Sequence, residues 1–288
     1  MSENILVTGA NGQLGRSLQK IKSQYADCVF YFTDIDTLDI SDKQQIADFI
    51  ISNNIRYILN CAAYTAVDKA EEDRINCMRI NRDAVRIIGE IASMQRIKVV
   101  HISTDYVFDG TETRPYHEED KTNPQSFYGQ SKLEGEIALQ QVCPEAAIIR
   151  TSWLYSEYGA NFVKTMLRLG NERTELKVVC DQTGSPTYAE DLATAIMAMV
   201  TRKPFLTGIY HFANEGVCSW YDFAVKIMEL AGLNCRVYPI QTREYPTRAI
   251  RPAFSVLDKE KIKSTFHLSI PQWEESLEKC LKLIPTCA

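Results

Sequence analysis

TGANGQLG, residues 8–15, follows the apolar run ILVT at 5–8 and opens an amphipathic helical stretch. Gly9, Gly12 and Gly15 fall where a tight turn and the close approach of a pyrophosphate leave little room for side chains. The helix that follows offers unsatisfied N–H groups and a favourable dipole to an anion. Strand, glycine loop and helix in this order make a dinucleotide the favoured ligand, with Gly9, Asn11, Gly12, Gln13, Leu14 and Gly15 as its cradle. The second apolar run ends at Thr33-Asp34. An acid there suits the adenosine ribose of NADH and repels the 2′-phosphate of NADPH. Arg16, just past the last glycine, can offset that repulsion, so both cofactors stay open with a mild lean to NADH. Asp39 and Ile40 are candidates for the edge of the adenine, the alternative being a helix start capped by Ser41.

Outward from this loop, six short runs rich in β-branched or aromatic residues predict strands: 5–8, 28–32, 57–60, 98–103, 146–150 and 176–180. Helical stripes lie between them, such as Ile80, Ala84, Ile87, Ile88 and Ile91. This alternation predicts an α/β fold, a doubly wound parallel sheet of Rossmann type with its crevice at the carboxyl ends of the strands. Residues 1–150 then form the dinucleotide-binding domain, with a later segment, about 176–200, rejoining the sheet. Pro- and Gly-punctuated segments place a smaller α/β substrate-binding lobe mainly in 151–288. Stripes at Trp220, Phe223, Ala224, Ile227 and Ala231, and at Trp273, Leu277 and Leu281, read as its core.

The net charge of −5 over 288 residues argues against nucleic acid as a partner, while leaving room for a local basic pocket. Nine cysteines without a CxxC pair fit free thiols in a reducing compartment. His101, His117, His211 and His267 show no metal-ligand spacing. Without an apolar signal or a membrane-length run, the expected location is the cytoplasm.

In FYGQSKLEGE at 127–136, Tyr128 and Lys132 stand four residues apart, on one face of a predicted helix. An ammonium beside a phenol favours the phenolate and brings proton transfer towards neutral pH. GxxGxxG at 9–15, STDYVFDG at 103–110 and YxxxK at 128–132, in that order, resemble the extended short-chain dehydrogenase/reductase superfamily. CAAYTAVDKAE (61–71), RTSWLY (150–155), NFVKTMLRL (161–169), DQTGSPT (181–187) and SWYDFA (219–224) extend the resemblance, nearly end to end, to the dTDP-4-dehydrorhamnose reductase family.

That resemblance implies reduction of a nucleotide-sugar ketone by NADPH or NADH, with Thr104, Tyr128 and Lys132 as the catalytic group. Tyr128 would give its proton to the developing alkoxide, Thr104 would hydrogen-bond the same oxygen, and Lys132 would hold the cofactor ribose and lower the tyrosine pKa. The helix dipole would push that pKa the same way. The end of the third strand, Asn60, Cys61, Ala62 and Ala63, would line the cofactor. Thr104, Asp105, Tyr106, Tyr128 and Trp153 would meet the substrate, and Arg251 its diphosphate.

Some members of the family bind Mg²⁺ at a dimer interface through a glutamate in the first helix. Arg16-Ser17 stand there in this chain, and Glu190 matches only one other acid of the cluster, so no metal is expected. A monomer or a homodimer is compatible with the resemblance. Two rivals remain. A nucleotide-sugar 4,6-dehydratase of the same superfamily would carry a glutamate after Asp105, where this chain has Tyr106. The non-catalytic regulatory subunit of methionine adenosyltransferase keeps the Tyr and Lys but diverges in TAVDKAE and RTSWLY.

Overall fold

A computed structural model describes residues 3–285. Five strands occur in the order the alternation predicts: β1 (Glu3–Thr8), β2 (Cys28–Phe32), β3 (Tyr57–Asn60), β4 (Lys98–Thr104) and β5 (Ala147–Thr151). With a strand at Gly208–Phe212 they form one six-stranded sheet, ordered β2-β1-β3-β4-β5 and then 208–212. Every pairing in it is parallel. Ile5, Leu6 and Val7 of β1 and Ile58 and Leu59 of β3 are essentially inaccessible, as expected of strands covered on both faces.

One face packs on helix α1 (Gln13–Ile21) and the helix Ala189–Thr201, through Leu14, Leu18, Leu192 and Ile196. The other packs on the helices at 43–52, 84–95 and 127–142, through Ile46, Ile50, Ile88 and Leu139. The strand expected at 176–180 does form, at Glu175–Val179, but it lies outside the large sheet and pairs with Arg236–Ile240. The sixth place belongs to GIYHF at 208–212, whose single Ile and two aromatics gave a weaker strand signal. Of the 176–200 segment, it is the helix at 189–201 that covers the sheet.

A second apolar cluster gathers the helices at 162–172, 220–231 and 273–283 around the 175–179 and 236–240 strands. Phe223, Ile227 and Leu277 are completely buried there, and Trp220, Ala224, Trp273 and Leu281 of the same two stripes join them, whereas Ala231 does not. Because the order reverses between β1 and β3, a crevice opens at their carboxyl ends, between the sheet and this lobe.

Candidate active site

A cleft of about 890 Å³ occupies that crevice. Gly9, Asn11, Gly12, Gln13, Leu14, Gly15, Asp34, Asp39, Ile40, Cys61, Ala62 and Ala63 all line it. So do Thr104, Asp105, Tyr106, Tyr128, Lys132 and Trp153, whereas Arg251 does not.

The glycine loop is shaped by contact with its own backbone. Gly9 has φ +66°, and a Cβ there would lie 2.7 Å from the Ala62 amide nitrogen; a Cβ on Gly15 would lie 2.4 Å from the Gly9 carbonyl oxygen. Gly12 caps α1 without a side-chain hydrogen bond, and no acid occupies the first turn, so the helix start presents uncompensated N–H groups to an anion. This cradle fits a dinucleotide pyrophosphate. Asp34 accepts from the Asn11 amide at 2.8 Å and from the Ile35 amide at 2.8 Å, which ties the end of β2 to the loop. Asp39 accepts from both the amide and the hydroxyl of Ser41, and these bonds hold its carboxyl below the usual range. The helix that follows is capped by Asp42 rather than Ser41.

Arg16 lies over the Tyr158 ring, 5.4 Å from its centroid, and does not line the cleft. The basic residue of the lining that acts on Asp39 is Arg79, from a π-helical turn at Arg79–Asp83. Sequence periodicity cannot register such a turn, because a single inserted residue looks like an ordinary helix. Thr65, Ser103, Ser152 and the segment 159–161 also line the cleft without having been singled out. Thr65, Ser103, Ser152 and Asn161 belong to the motifs 61–71, 103–110, 150–155 and 161–169 that carry the family resemblance, and that membership was the available signal.

The proposed catalytic side chains come from the end of β4 and the helix Phe127–Val142. Ser126 caps that helix by accepting from the Gly129 amide at 3.2 Å, and the Glu71 carboxylate accepts from the Phe127 amide at 2.8 Å. Tyr128 is 9% exposed, and its ring meets Tyr106 edge-on at 5.5 Å. Burial pushes the phenol above its ordinary value, while a hydrogen bond with Thr104 draws it partly back. The expected lowering by Lys132 and the helix start is therefore not what dominates. Desolvation outweighs it, and two amides of the first turn are already engaged, Phe127 by Glu71 and Gly129 by Ser126. Lys132 is 2% exposed, with its ammonium donating to the Ile102 carbonyl at 2.6 Å. Burial lowers it to about 8.

Asp105 is buried, and its Oδ1 accepts from the Thr104 hydroxyl at 3.0 Å. Its Oδ2 has no partner in hydrogen-bonding geometry; burial pushes the carboxyl up to about 6, against the pull of the nearby Ser255 and Thr104 hydroxyls. Trp153 has φ +48° and stacks on Trp220 at 3.6 Å. A Cβ on Gly184 would lie 2.7 Å from that indole, so this glycine leaves space for it. Arg251 is engaged elsewhere: Nη2 donates to Asp68 Oδ2 at 2.8 Å and Nη1 to Oδ1 at 3.2 Å.

The residues around Glu190 do not suit Mg²⁺. Lys20 Nζ already sits 2.5 Å from a Glu190 oxygen and 2.9 Å from a Glu157 oxygen, so an ammonium takes the place between the two carboxylates. The Tyr188 hydroxyl bonds both acids as well. No helix among the described residues is long and apolar enough to cross a membrane.

Known proteins resemble this chain along nearly its whole length. A family profile described as RmlD substrate binding domain matches residues 3–285. A dTDP-4-dehydrorhamnose reductase of Sinorhizobium fredii is 42% identical, over 96% of this chain and 95% of its own length. The crystal structure of a dTDP-4-dehydrorhamnose reductase from Bacillus anthracis, in complex with NADP, superposes with a TM-score of 0.93 at 40% identity, covering 98% of this chain and 99% of that one. A dTDP-glucose 4,6-dehydratase of the same organism shares the fold, with a TM-score of 0.82 at 18% identity over 98% and 96% of the two chains. With a full-length profile match and relatives of this identity over almost the whole of both chains, the protein belongs to the dTDP-4-dehydrorhamnose reductase family.

Proposed function

We propose that the protein reduces the C4 ketone of dTDP-4-dehydrorhamnose to the alcohol of dTDP-L-rhamnose, using NADPH or NADH. The observation that carries this reading is convergence: Thr104, Tyr128 and Lys132 open onto the same cleft as the glycine loop. When bound, the reduced nicotinamide supplies a hydride to the carbonyl carbon. Tyr128 holds the proton that the carbonyl oxygen then needs, and burial keeps that proton in place until negative charge develops beside it. The Thr104 hydroxyl stands next to the phenol, and by turning its one proton from Asp105 Oδ1 it can donate to the same oxygen and fix its position. Lys132 is a buried cation one helical turn from Tyr128, placed to orient the ribose hydroxyls of the cofactor.

Asp105 Oδ2 is a buried acceptor with only the Ser255 hydroxyl nearby and no well-aligned donor, a place that a sugar hydroxyl can take. Trp153, backed by Trp220, gives a flat apolar wall for the deoxysugar or the base. Arg251 lies outside the lining but close enough for its charge to act on Tyr106; Asp68 holds it there, and a diphosphate offers its guanidinium a doubly charged replacement for that single carboxylate. Plain reduction is favoured over dehydration because the residue after Asp105 is Tyr106, whose ring packs against Tyr128 and brings no second carboxylate.

The test is a panel of 4-keto nucleotide sugars with each reduced cofactor, following the loss of nicotinamide absorbance. Turnover of dTDP-4-dehydrorhamnose with formation of dTDP-L-rhamnose is expected. Consumption of cofactor only with a different 4-keto sugar nucleotide would replace the substrate, and none with any would end the enzymatic reading.

A further inference from the structure

A chain of buried polar side chains runs from the centre of the sheet to Lys132. The Thr8 hydroxyl at the end of β1 donates to Asn60 Oδ1 on β3 at 2.7 Å. Asn60 Nδ2 lies 3.0 Å from His101 Nδ1 on β4, and His101 Nε2 lies 3.5 Å from Lys132 Nζ. Thr8, Asn60, His101 and Lys132 are all at most 2% exposed, so no water competes along the row.

A neutral imidazole has one donor and one acceptor, and the partner of one nitrogen decides the role of the other. With Thr8 donating to Asn60 Oδ1, the amide must donate to His101 Nδ1. The ring proton then sits on Nε2 and faces Lys132. That sense suits an amine, whose lone pair can accept; an ammonium has donors only and must rely on the Ile102 carbonyl at 2.6 Å. Turning the Asn60 amide over reverses every bond: Asn60 donates to Thr8, His101 Nδ1 donates to Asn60 Oδ1, and Nε2 accepts from the ammonium.

We propose that His101 is a positioning residue for Lys132, and that the Thr8–Asn60–His101 chain reverses its direction to match the lysine's charge, giving the ammonium a second internal acceptor. The inference rests on the reading of Lys132 as part of the active site only for its effect on turnover. The other groups that bear on the ammonium are Cys61 at the end of β3, Cys77 on the helix Arg74–Met78, and Glu136 one turn further along its own helix. Tyr128 lies one turn back. Glu136 is already committed to Arg150 and Ser103, and the two thiols are neutral, so the imidazole is the adjustable partner.

The test is a lysine-selective NMR titration of the full chain, with Lys132→Met identifying the signal, alongside the pH profile of kcat. In His101→Leu the ammonium loses an acceptor, and its titration should fall by about one pH unit, a tenfold loss of proton affinity. His101→Gln, whose side-chain oxygen accepts, should restore it. Asn60→Asp holds the Nδ1 proton and leaves Nε2 to accept, so it should move the titration upward. This opposite sign is one that loosened packing would not give, and it keeps the test decisive if the leucine variant fails to fold. Unchanged Lys132 titration in Asn60→Asp, or in a folded His101→Leu, overturns the proposal. If the titration moves while the alkaline limb of kcat stays fixed, the chain stands and the catalytic role of Lys132 falls.

Discussion

The two ends of the cleft are built differently. At the end proposed for the adenosine, backbone from adjacent parallel strands sets the shape: the Gly9 turn lies against the Cys61-Ala62 peptide, and the Asp34 side chain is tied to the Asn11 amide. At the sugar end the walls are side chains from distant segments. Trp153 leans on Trp220, and outside the lining the loop carrying Arg248 and Arg251 is held to Glu72 and Asp68 by ion pairs. Topology fixes the first end, since parallel strands with right-handed crossovers bring the same atoms together in any sequence that forms the sheet. Individual pairs fix the second, and pairs can be exchanged without touching the sheet. Ligand specificity therefore has room to vary at the sugar end, while the adenosine end tolerates little change.

Tyr128 stands between the two ends, and its loss should have the largest effect. Tyr128→Phe keeps the ring against Tyr106 and removes the hydroxyl with its proton, so kcat should fall by about 10²–10⁴-fold. Cofactor affinity, read by fluorescence titration, should be nearly unchanged. Turnover within a few fold of the parent would remove Tyr128 from the acid role.

Asp105 tests how much the sugar end stores in a buried charge. Burial raises its carboxyl to about 6, above the unfolded value. The ionised form is thus a cost to folding, fully present above pH 6 and fading as the pH falls towards the unfolded pKa near 4. Asp105→Asn should be more stable than the parent at neutral pH, by up to about 3 kcal/mol, and the gap should close on acidification. Denaturant midpoints across the pH range measure it. A gap that stays constant with pH would mean that Asp105 is not the titrating group.

At the backbone-built end, Gly9→Ala forces a side chain into φ +66° and against the Ala62 amide. The expected cost is about 1–3 kcal/mol in stability, with cofactor affinity falling too because the loop must shift. A normal melting temperature with normal cofactor binding would show that the turn is not held as rigidly as its contacts imply.

This difference between the ends also explains what the sequence could disclose. Gly9, Gly12 and Gly15, Asp34, and the Tyr128–Lys132 spacing were readable because backbone demands and helical periodicity leave marks at fixed intervals. The edge strand at 208–212 was missed and 175–179 misplaced, since short apolar runs do not say which sheet they join. Arg79 was hidden by a π turn, and the stacking of Trp153 on Trp220 by a separation of 67 residues, 220 minus 153. The depressed phenol pKa inferred from helical spacing failed because burial of Tyr128 is a property of the assembled cleft.

Arg251 gives the smallest effect on stability and the most selective one on function. Its pair with Asp68 is partly exposed, with side-chain exposures of 25% and 42%, so solvent screens it and Arg251→Ala should change stability by no more than about 1 kcal/mol. A diphosphate, however, would lose a charge-assisted fork, worth about 1.5–3 kcal/mol in binding. KM for the sugar nucleotide should therefore rise about tenfold or more, with cofactor KM and kcat little changed. Asp68→Asn weakens the competing partner while leaving the guanidinium in place, so the same KM should fall or hold steady. A rise in both variants would mean that Asp68 and Arg251 serve the site as a fixed pair, and the sugar end would then be as rigid as the end built from backbone.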